Sequence, residues 1–291
     1  MKDLVKKTEI LVEALPYIQQ FHGAIAVIKF GGSAMEDPLL THKTMRDIVL
    51  LEAIGMKPVV VHGGGKAISA RLREMQIEPK FINGLRVTDD KTIDVVDDVL
   101  HNVTNVQLVE GILRAGGKGA SISGKKLLRA KKLYTNDKET GKQLDIGYVG
   151  EVVSVDVAAI HDALRFNVIP VITPLATDFH GQTYNINADT AACEIAKALN
   201  AKKLVFLSDV PGIMRDPLDE SSLISVIHTS DVANLIADGV LSGGMLPKIQ
   251  SCVGSLESGV SQVHMVDGRQ PHSLLLEIFT TSGVGTQIIK G

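Results

Sequence analysis

The sequence predicts an α/β fold, a three-layer αβα sandwich around a mainly parallel central sheet. Three observations carry that prediction. Short apolar runs rich in β-branched residues recur along the chain, and they are continuous rather than alternating, as strands covered on both faces require. Stretches of helical period lie between them. Glycine clusters follow directly after several runs, where such folds turn from strand to helix and place their ligands.

The elements follow in order. Residues 2–20 put Leu4, Thr8, Leu11, Leu15 and Ile18 at helical spacing, with Val5 and Val12 alongside, so an amphipathic helix precedes the first core strand. Pro16 should kink or end it. Such a helix either packs on its own subunit or serves as an exchanged arm between subunits, which sets residues 1–20 apart. Strands are expected at Ala26-Val27-Ile28, Val59-Val60-Val61, Val168 to Ile172, Leu204 to Leu207 and Gln262 to Val266. Helices are expected over 67–75, with Ile68, Leu72 and Met75 on one face, and over 188–199, with Ala192, Ile195, Ala196 and Leu199 together. Residues 134–150 are polar and turn-rich, and read as a hairpin projecting over one end of the sheet. The glycine loops before and after residue 190 serve different ligands in this reading. That gives a soft division into lobes 21–190 and 191–291.

Composition narrows the function classes. In 291 residues, 30 Lys and Arg face 33 Asp and Glu, a net charge of −3, which leaves no basic footprint for nucleic acid or anionic lipid. The longest apolar stretches are a few residues, far below the ~18 of a membrane-spanning helix. Glu9 and Glu13 interrupt what would have to be the apolar core of a signal peptide. Cys193 and Cys252 are too few for a disulfide scaffold and read as buried thiols in a reducing cytosol. A cytoplasmic protein is therefore expected.

Lys29-Phe30-Gly31-Gly32-Ser33 follows a strand, and so does His62-Gly63-Gly64-Gly65-Lys66, which also opens a helix near Ala67. Successive glycines let backbone N–H groups converge, and a helix N-terminus adds partial positive charge, a setting for phosphate or carboxylate. A tight turn without a ligand explains either loop alone; two together weaken that account. Lys29 stands at the carboxyl end of a buried strand. Gly243-Gly244-Met245-Leu246-Pro247-Lys248 also ends in a lysine. Asn185-Ile186-Asn187-Ala188-Asp189-Thr190 precedes a helix that Asp189 or Asn187 would cap, and capping explains one of these residues, not all three. Ser208 and Asp209 sit where a strand runs into a turn, on the nucleotide side in this reading. Two nucleotide motifs fail: Ile68 occupies the last glycine of a dinucleotide fingerprint, and Lys126 replaces the hydroxyl residue after Gly119 to Lys125.

These glycine loops, with Asn83-Gly84-Leu85-Arg86-Val87-Thr88, Asn185 to Asp189 and Gly244 to Lys248, resemble the amino acid kinase superfamily from about Ala24 to Gly291, in the order that superfamily keeps. The stretch through Arg86 points to the branch acting on N-acetyl-L-glutamate. The resemblance implies transfer of the ATP γ-phosphoryl to the side-chain carboxylate of that acceptor. Lys29 and Lys248 would hold the phosphoryl from two sides, and Asp189 would orient both lysines. Backbone N–H groups of Gly31, Gly32 and Gly64 would line its path. Arg86 would take the α-carboxylate as a guanidinium fork, with Gly64, Gly65, Asn185 and Asn187 completing the acceptor site. The adenine and ribose would lie near Ser208, Asp209, Gly243 and Gly244. Mg²⁺ would bridge the ATP phosphates, with no protein metal cage.

Members with such an amino-terminal extension imply a hexamer, a trimer of dimers, inhibited by L-arginine at His264, Glu277 and Gly283, and in some cases a PII-type signalling partner. Arg86 argues against aspartate, glutamate, carbamate and uridylate kinases, and the end at Gly291 against the regulatory domain of an aspartate kinase. A non-catalytic sensor would be expected to lack Lys29, Asp189 or Lys248. Ser123 to Leu127 is shorter than the superfamily's turn, so the hairpin after it is expected to be trimmed.

Overall fold

A computed structural model describes Glu9, residues 12–280 and residues 283–291. Leu4, Val5, Thr8 and Leu11 of the expected amphipathic helix lie outside the described residues. Its described end is helix α1 (Leu15–Phe21), with Pro16 in the first turn, where a missing N–H costs nothing.

Among the described residues, eight strands form the central sheet in the order β12-β14-β13-β11-β1-β2-β8-β5. They are β1 (Ile25–Phe30), β2 (Lys57–His62), β5 (Gly119–Ile122), β8 (Ile169–Ile172), β11 (Lys203–Ser208), β12 (Val226–His228), β13 (Gln262–Asp267) and β14 (Thr286–Ile289). Only the β13–β14 pairing is antiparallel. Every apolar run expected as a strand is one. The sheet also runs unbroken across the soft division at residue 190.

Alternation along β1 makes the three layers visible. Ala26, Ile28 and Phe30 enter an apolar layer with Met45, Ile48 and Leu51 of α2 (Pro38–Ala53) and Leu274 and Ile278 near the carboxyl terminus. Val27 enters the opposite layer, with Ala192 and Ile195 of one helix and Ile249 and Cys252 of another. A third cluster, Ile68, Leu72, Val96 and Leu100, lies beneath α3 (Gly65–Glu74), which starts two residues before the expected position. Asp37 caps α2, accepting from the Leu39 N–H at 2.7 Å with Pro38 next in line. Both cysteines are buried and free.

The hairpin is larger than the sequence suggested. β6 (Leu128–Asn136) and β7 (Gln143–Val155) are nine and thirteen residues long, and a single helical turn at 124–127 leads into them. Nor does it project freely. With β9 (Leu175–Thr177) and β10 (Thr183–Asn185) it closes a small barrel, in which Asn185 pairs with Val149. Strands of three residues carry no periodic signal, which is why the sequence did not reveal the barrel. Its closure delivers Asn185 to the carboxyl edge of the main sheet.

Candidate active site

The period of β1 decides where Lys29 goes. Side chains alternate across a strand, so Lys29 shares the face of Val27 and meets the layer of helices α4 (Ala188–Ala198) and α5 (Met245–Glu257). Asn187 caps α4, its Oδ1 accepting from the N–H groups of Asp189 and Thr190 at 2.9 and 3.2 Å. The sequence left the cap open between Asn187 and Asp189, and this choice releases the Asp189 carboxylate. Asp189 Oδ1 meets Lys29 Nζ and Oδ2 meets Lys248 Nζ, each at 3.1 Å. The Oδ1 contact is a charge pairing rather than a directed hydrogen bond, since that oxygen is buried without one.

Burial alone would raise the Asp189 carboxyl; the Lys29 and Lys248 charges outweigh it and hold it below the usual carboxylate range. Lys248, in the first turn of α5, also stands 5.4 Å from the ring centre of Phe206, the residue paired with Lys29 across β1 and β11. The three charged groups therefore come from three elements that share one sheet face.

Two glycine loops border this triad. A Cβ on Gly32, whose φ is +74°, would collide with the Asp209 carboxylate, which accepts from both the N–H and the Oγ of Ser33 at 2.8 Å. Asp209 thus ties the first glycine loop to the end of β11. The Ser208 hydroxyl turns to the main-chain carbonyls of Val210 and Val266. In the second loop, a Cβ on Gly64 would lie 2.6 Å from Leu100 Cδ2, so the backbone passes where no side chain fits.

At the other end stands Arg86, held by its Nη2, which donates to Gly65 O at 2.7 Å and Ser69 Oγ at 2.9 Å. Its Nη1 is buried with no hydrogen-bond partner among the described residues. Burial pulls the guanidinium below its ordinary value and Arg73 adds a second positive charge, so an arriving carboxylate relieves both. The Asn185 amide donates to Thr88 Oγ1 at 3.3 Å. A cleft of about 250 Å³ joins the two ends, with Lys29, Gly64, Arg86, Asn185, Asn187 and Asp189 in its wall. Gly32 and Gly65 also face it.

Not every expected residue is there. Gly31, Ser208, Asp209, Gly243, Gly244 and Lys248 lie outside the cleft wall; Lys248 reaches it through Asp189, and the two glycines Gly243 and Gly244 sit in an open loop before α5. His264, Glu277 and Gly283 form a separate cluster on β13 and the segment after it. His264 Nδ1 is 2.6 Å from Glu277 Oε1, and the N–H groups of Val284 and Gly285 donate to Oε2 at 2.8 and 3.0 Å. Lys203, unforeseen from the sequence, donates to His264 Nε2 at 3.1 Å and stands 4.7 Å from the Phe21 ring centre. Among the described residues, no group of three His, Cys, Asp or Glu side chains gathers as a metal would require, and no helix is long and apolar enough to cross a membrane.

The sequence also missed Phe81, whose ring centre lies 4.7 Å from the Arg86 guanidinium carbon. The signal was present. Asn83 and Gly84, with φ of +51° and +79°, form the two-residue turn of a hairpin in which β3 (Phe81–Ile82) pairs with β4 (Leu85–Arg86), placing Phe81 opposite Arg86.

Two lysines bridged by one carboxylate thus stand at one end of a cleft and an arginine at the other. The profile of the Amino acid kinase family matches residues 24–267. The chain belongs to the amino acid kinase family. Its relatives in that family include the acetylglutamate kinase of Heliobacterium modesticaldum, 47% identical over 100% of both chains. That of Archaeoglobus fulgidus is 46% identical over 98% of this chain and 99% of its own. Among solved structures, N-acetylglutamate synthase from Neisseria gonorrhoeae, complexed with coenzyme A and N-acetyl-glutamate, superposes with a TM-score of 0.83 at 27% identity. The match covers 97% of this chain and 63% of the synthase. The same synthase complexed with coenzyme A and L-arginine gives 0.80. A carbamate kinase from Giardia gives 0.64 at 17% identity and shares the fold of this amino acid kinase.

Proposed function

We propose that this amino acid kinase is an acetylglutamate kinase. The observation that carries the reading is the Lys29–Asp189–Lys248 bridge at one end of a cleft whose other end presents Arg86 with an unpartnered buried Nη1. The acceptor's α-carboxylate would pair with Arg86, which places its side-chain carboxylate toward the lysines. One oxygen of that carboxylate attacks the γ-phosphorus of ATP, the bond from that phosphorus to the β-γ bridging oxygen breaks, and ADP leaves with the electron pair. An acyl phosphate results.

The attacking carboxylate is ionised at neutral pH, so no base is needed and catalysis rests on alignment and charge. Lys29 and Lys248 are aimed by one acid and would neutralise the oxygens in flight. The Gly32 and Gly64 backbones supply N–H groups beside that path. Mg²⁺ bound to the nucleotide would neutralise its phosphates. Asp189 is committed to two lysines, which suits an ion carried by ATP rather than by the protein. In this reading residues 21–190 serve the acceptor and 191–291 the nucleotide.

A coupled assay of ADP release with acetylglutamate, glutamate and aspartate as acceptors tests it. Turnover with acetylglutamate alone is expected, and preference for either unacetylated amino acid would overturn the assignment. The arginine-bound synthase supports adding L-arginine as an inhibitor acting near His264, Glu277 and Gly283. Exposed Val12 and Leu15 support an exchanged amino-terminal arm and a hexamer. Deleting residues 1–20 is expected to give dimers by light scattering and to blunt inhibition by arginine in the same assay.

A further inference from the structure

Beneath the second glycine loop lies a buried polar chain that the phosphoryl-transfer reading does not use. His62, last residue of β2, has no solvent exposure, and neither has Asn105. Asn105 ends a π-helical segment, Val99–Asn105, a widened turn of a kind that clusters at functional sites. The segment packs against the loop: Leu100 Cδ2 and Thr104 Oγ1 would be the nearest atoms to a Cβ on Gly64.

Donor and acceptor rules fix every proton in this chain. Asn105 Nδ2 is 2.9 Å from the Val171 carbonyl, which can only accept, so the Asn105 amide must present its NH₂ on that side. The same NH₂ lies 3.0 Å from His62 Nε2, which must therefore accept. The ring proton is left on Nδ1, which donates to the Gly63 carbonyl at 2.8 Å. Burial keeps the ring neutral, lowering its pKa to about 4, with His101 adding to the effect. Asn105 Oδ1 is left buried with no partner among the described residues. An unpaired carbonyl of that kind is costly, and mere filling of the space would favour an apolar side chain.

Gly63 is thus held on both sides, its N–H donating to the Phe30 carbonyl at 2.8 Å and its C=O accepting from His62. The next N–H, that of Gly64, belongs to the same planar trans unit as the Gly63 carbonyl and points opposite to it. We infer that His62 is a positioning residue, set in its Nδ1–H form by Asn105, which holds the Gly63 carbonyl so that the Gly64 N–H faces the transferring phosphoryl group. The inference rests on the acetylglutamate kinase reading and names the residues that orient one of its donors.

Two replacements of His62 separate positioning from packing. An Asn side chain keeps a donor near the place of Nδ1, whereas Gln reaches the place of Nε2 and leaves the Gly63 carbonyl unheld. His62→Gln is expected to lower kcat about 10- to 100-fold, short of the ~10²–10³ of a deleted direct donor. KM for ATP and acetylglutamate should stay within about threefold in that variant, and kcat of His62→Asn within about threefold of wild type. Asn105→Asp tests the chain from its other end: its carboxylate cannot donate to Nε2 or Val171, so the ring proton moves to Nε2 and kcat should fall as in His62→Gln. Melting temperatures of all three report the packing cost separately. Equal kcat losses in His62→Asn and His62→Gln, or wild-type kcat in Asn105→Asp, overturn the inference. Failure of the wild-type enzyme to phosphorylate acetylglutamate would instead remove the reading beneath it.

Discussion

Two carboxylates in this protein sit among cations, and their surroundings differ in one decisive respect. Asp189 spends each oxygen on a lysine tip, and it and Lys29 line an open cleft. Glu277 is sealed: His264 and two backbone N–H groups take its oxygens, and its side chain is 3% exposed. Burial would raise the Glu277 carboxyl; His264 and the Val284 and Gly285 N–H groups together outweigh it and hold the carboxyl below its ordinary value. Burial likewise pulls the Lys203 ammonium down to about 8 against the Glu277 charge, and keeps His264 between them neutral. The first arrangement offers charge to a ligand. The second consumes charge internally, so a guanidinium can reach Glu277 only by displacing partners already bound.

The comparison predicts opposite outcomes for opposite substitutions. Glu277→Gln should destabilise the fold by about 3 kcal/mol, the scale of breaking a buried pair, with turnover in the absence of arginine preserved; denaturant midpoints and ADP release measure the two. Lys248→Ala should do the reverse, lowering kcat about 100-fold with little change in melting temperature. Unchanged turnover there would remove the distinction between the clusters.

A smaller effect concerns His62, whose neutral form the fold requires. Its folded pKa of about 4 lies below the ordinary 6.5, so the unfolded chain binds more protons between those values and stability falls as pH drops through that window. By pH 5 the loss should reach about 2 kcal/mol, at roughly 1.4 kcal/mol per pH unit, and His62→Asn should lack that component in pH-dependent unfolding. Smallest is Arg86→Lys, which keeps the charge and loses the fork: KM for acetylglutamate should rise about tenfold at constant kcat. A change confined to the ATP requirement would mean that Arg86 faces the wrong substrate.

The sheet was legible because strands buried on both faces leave continuous apolar runs, and β1, β2, β8, β11 and β13 all have them. Lys29 and the glycine loops were legible for the same reason, since each follows such a run. Lys203 was not. Beside Lys202 it reads as a surface charge, and only the parallel pairing of β11 with β13 lays it next to His264. Phe81 was within reach through the Asn83-Gly84 turn but calls for pairing two strands of two residues each.

By itself the sequence determined the local features: which apolar runs are core strands, where backbone N–H groups converge, and which cationic and acidic side chains stand at those places. Only the tertiary structure decided that Asn187 rather than Asp189 caps its helix, that the freed carboxylate meets lysines from β1 and α5, and that Glu277 is closed off. The physical reason is range. Strand alternation and turn chemistry act over a few residues, whereas hydrogen-bond partners of a buried group are assigned by the register of elements far apart in the chain.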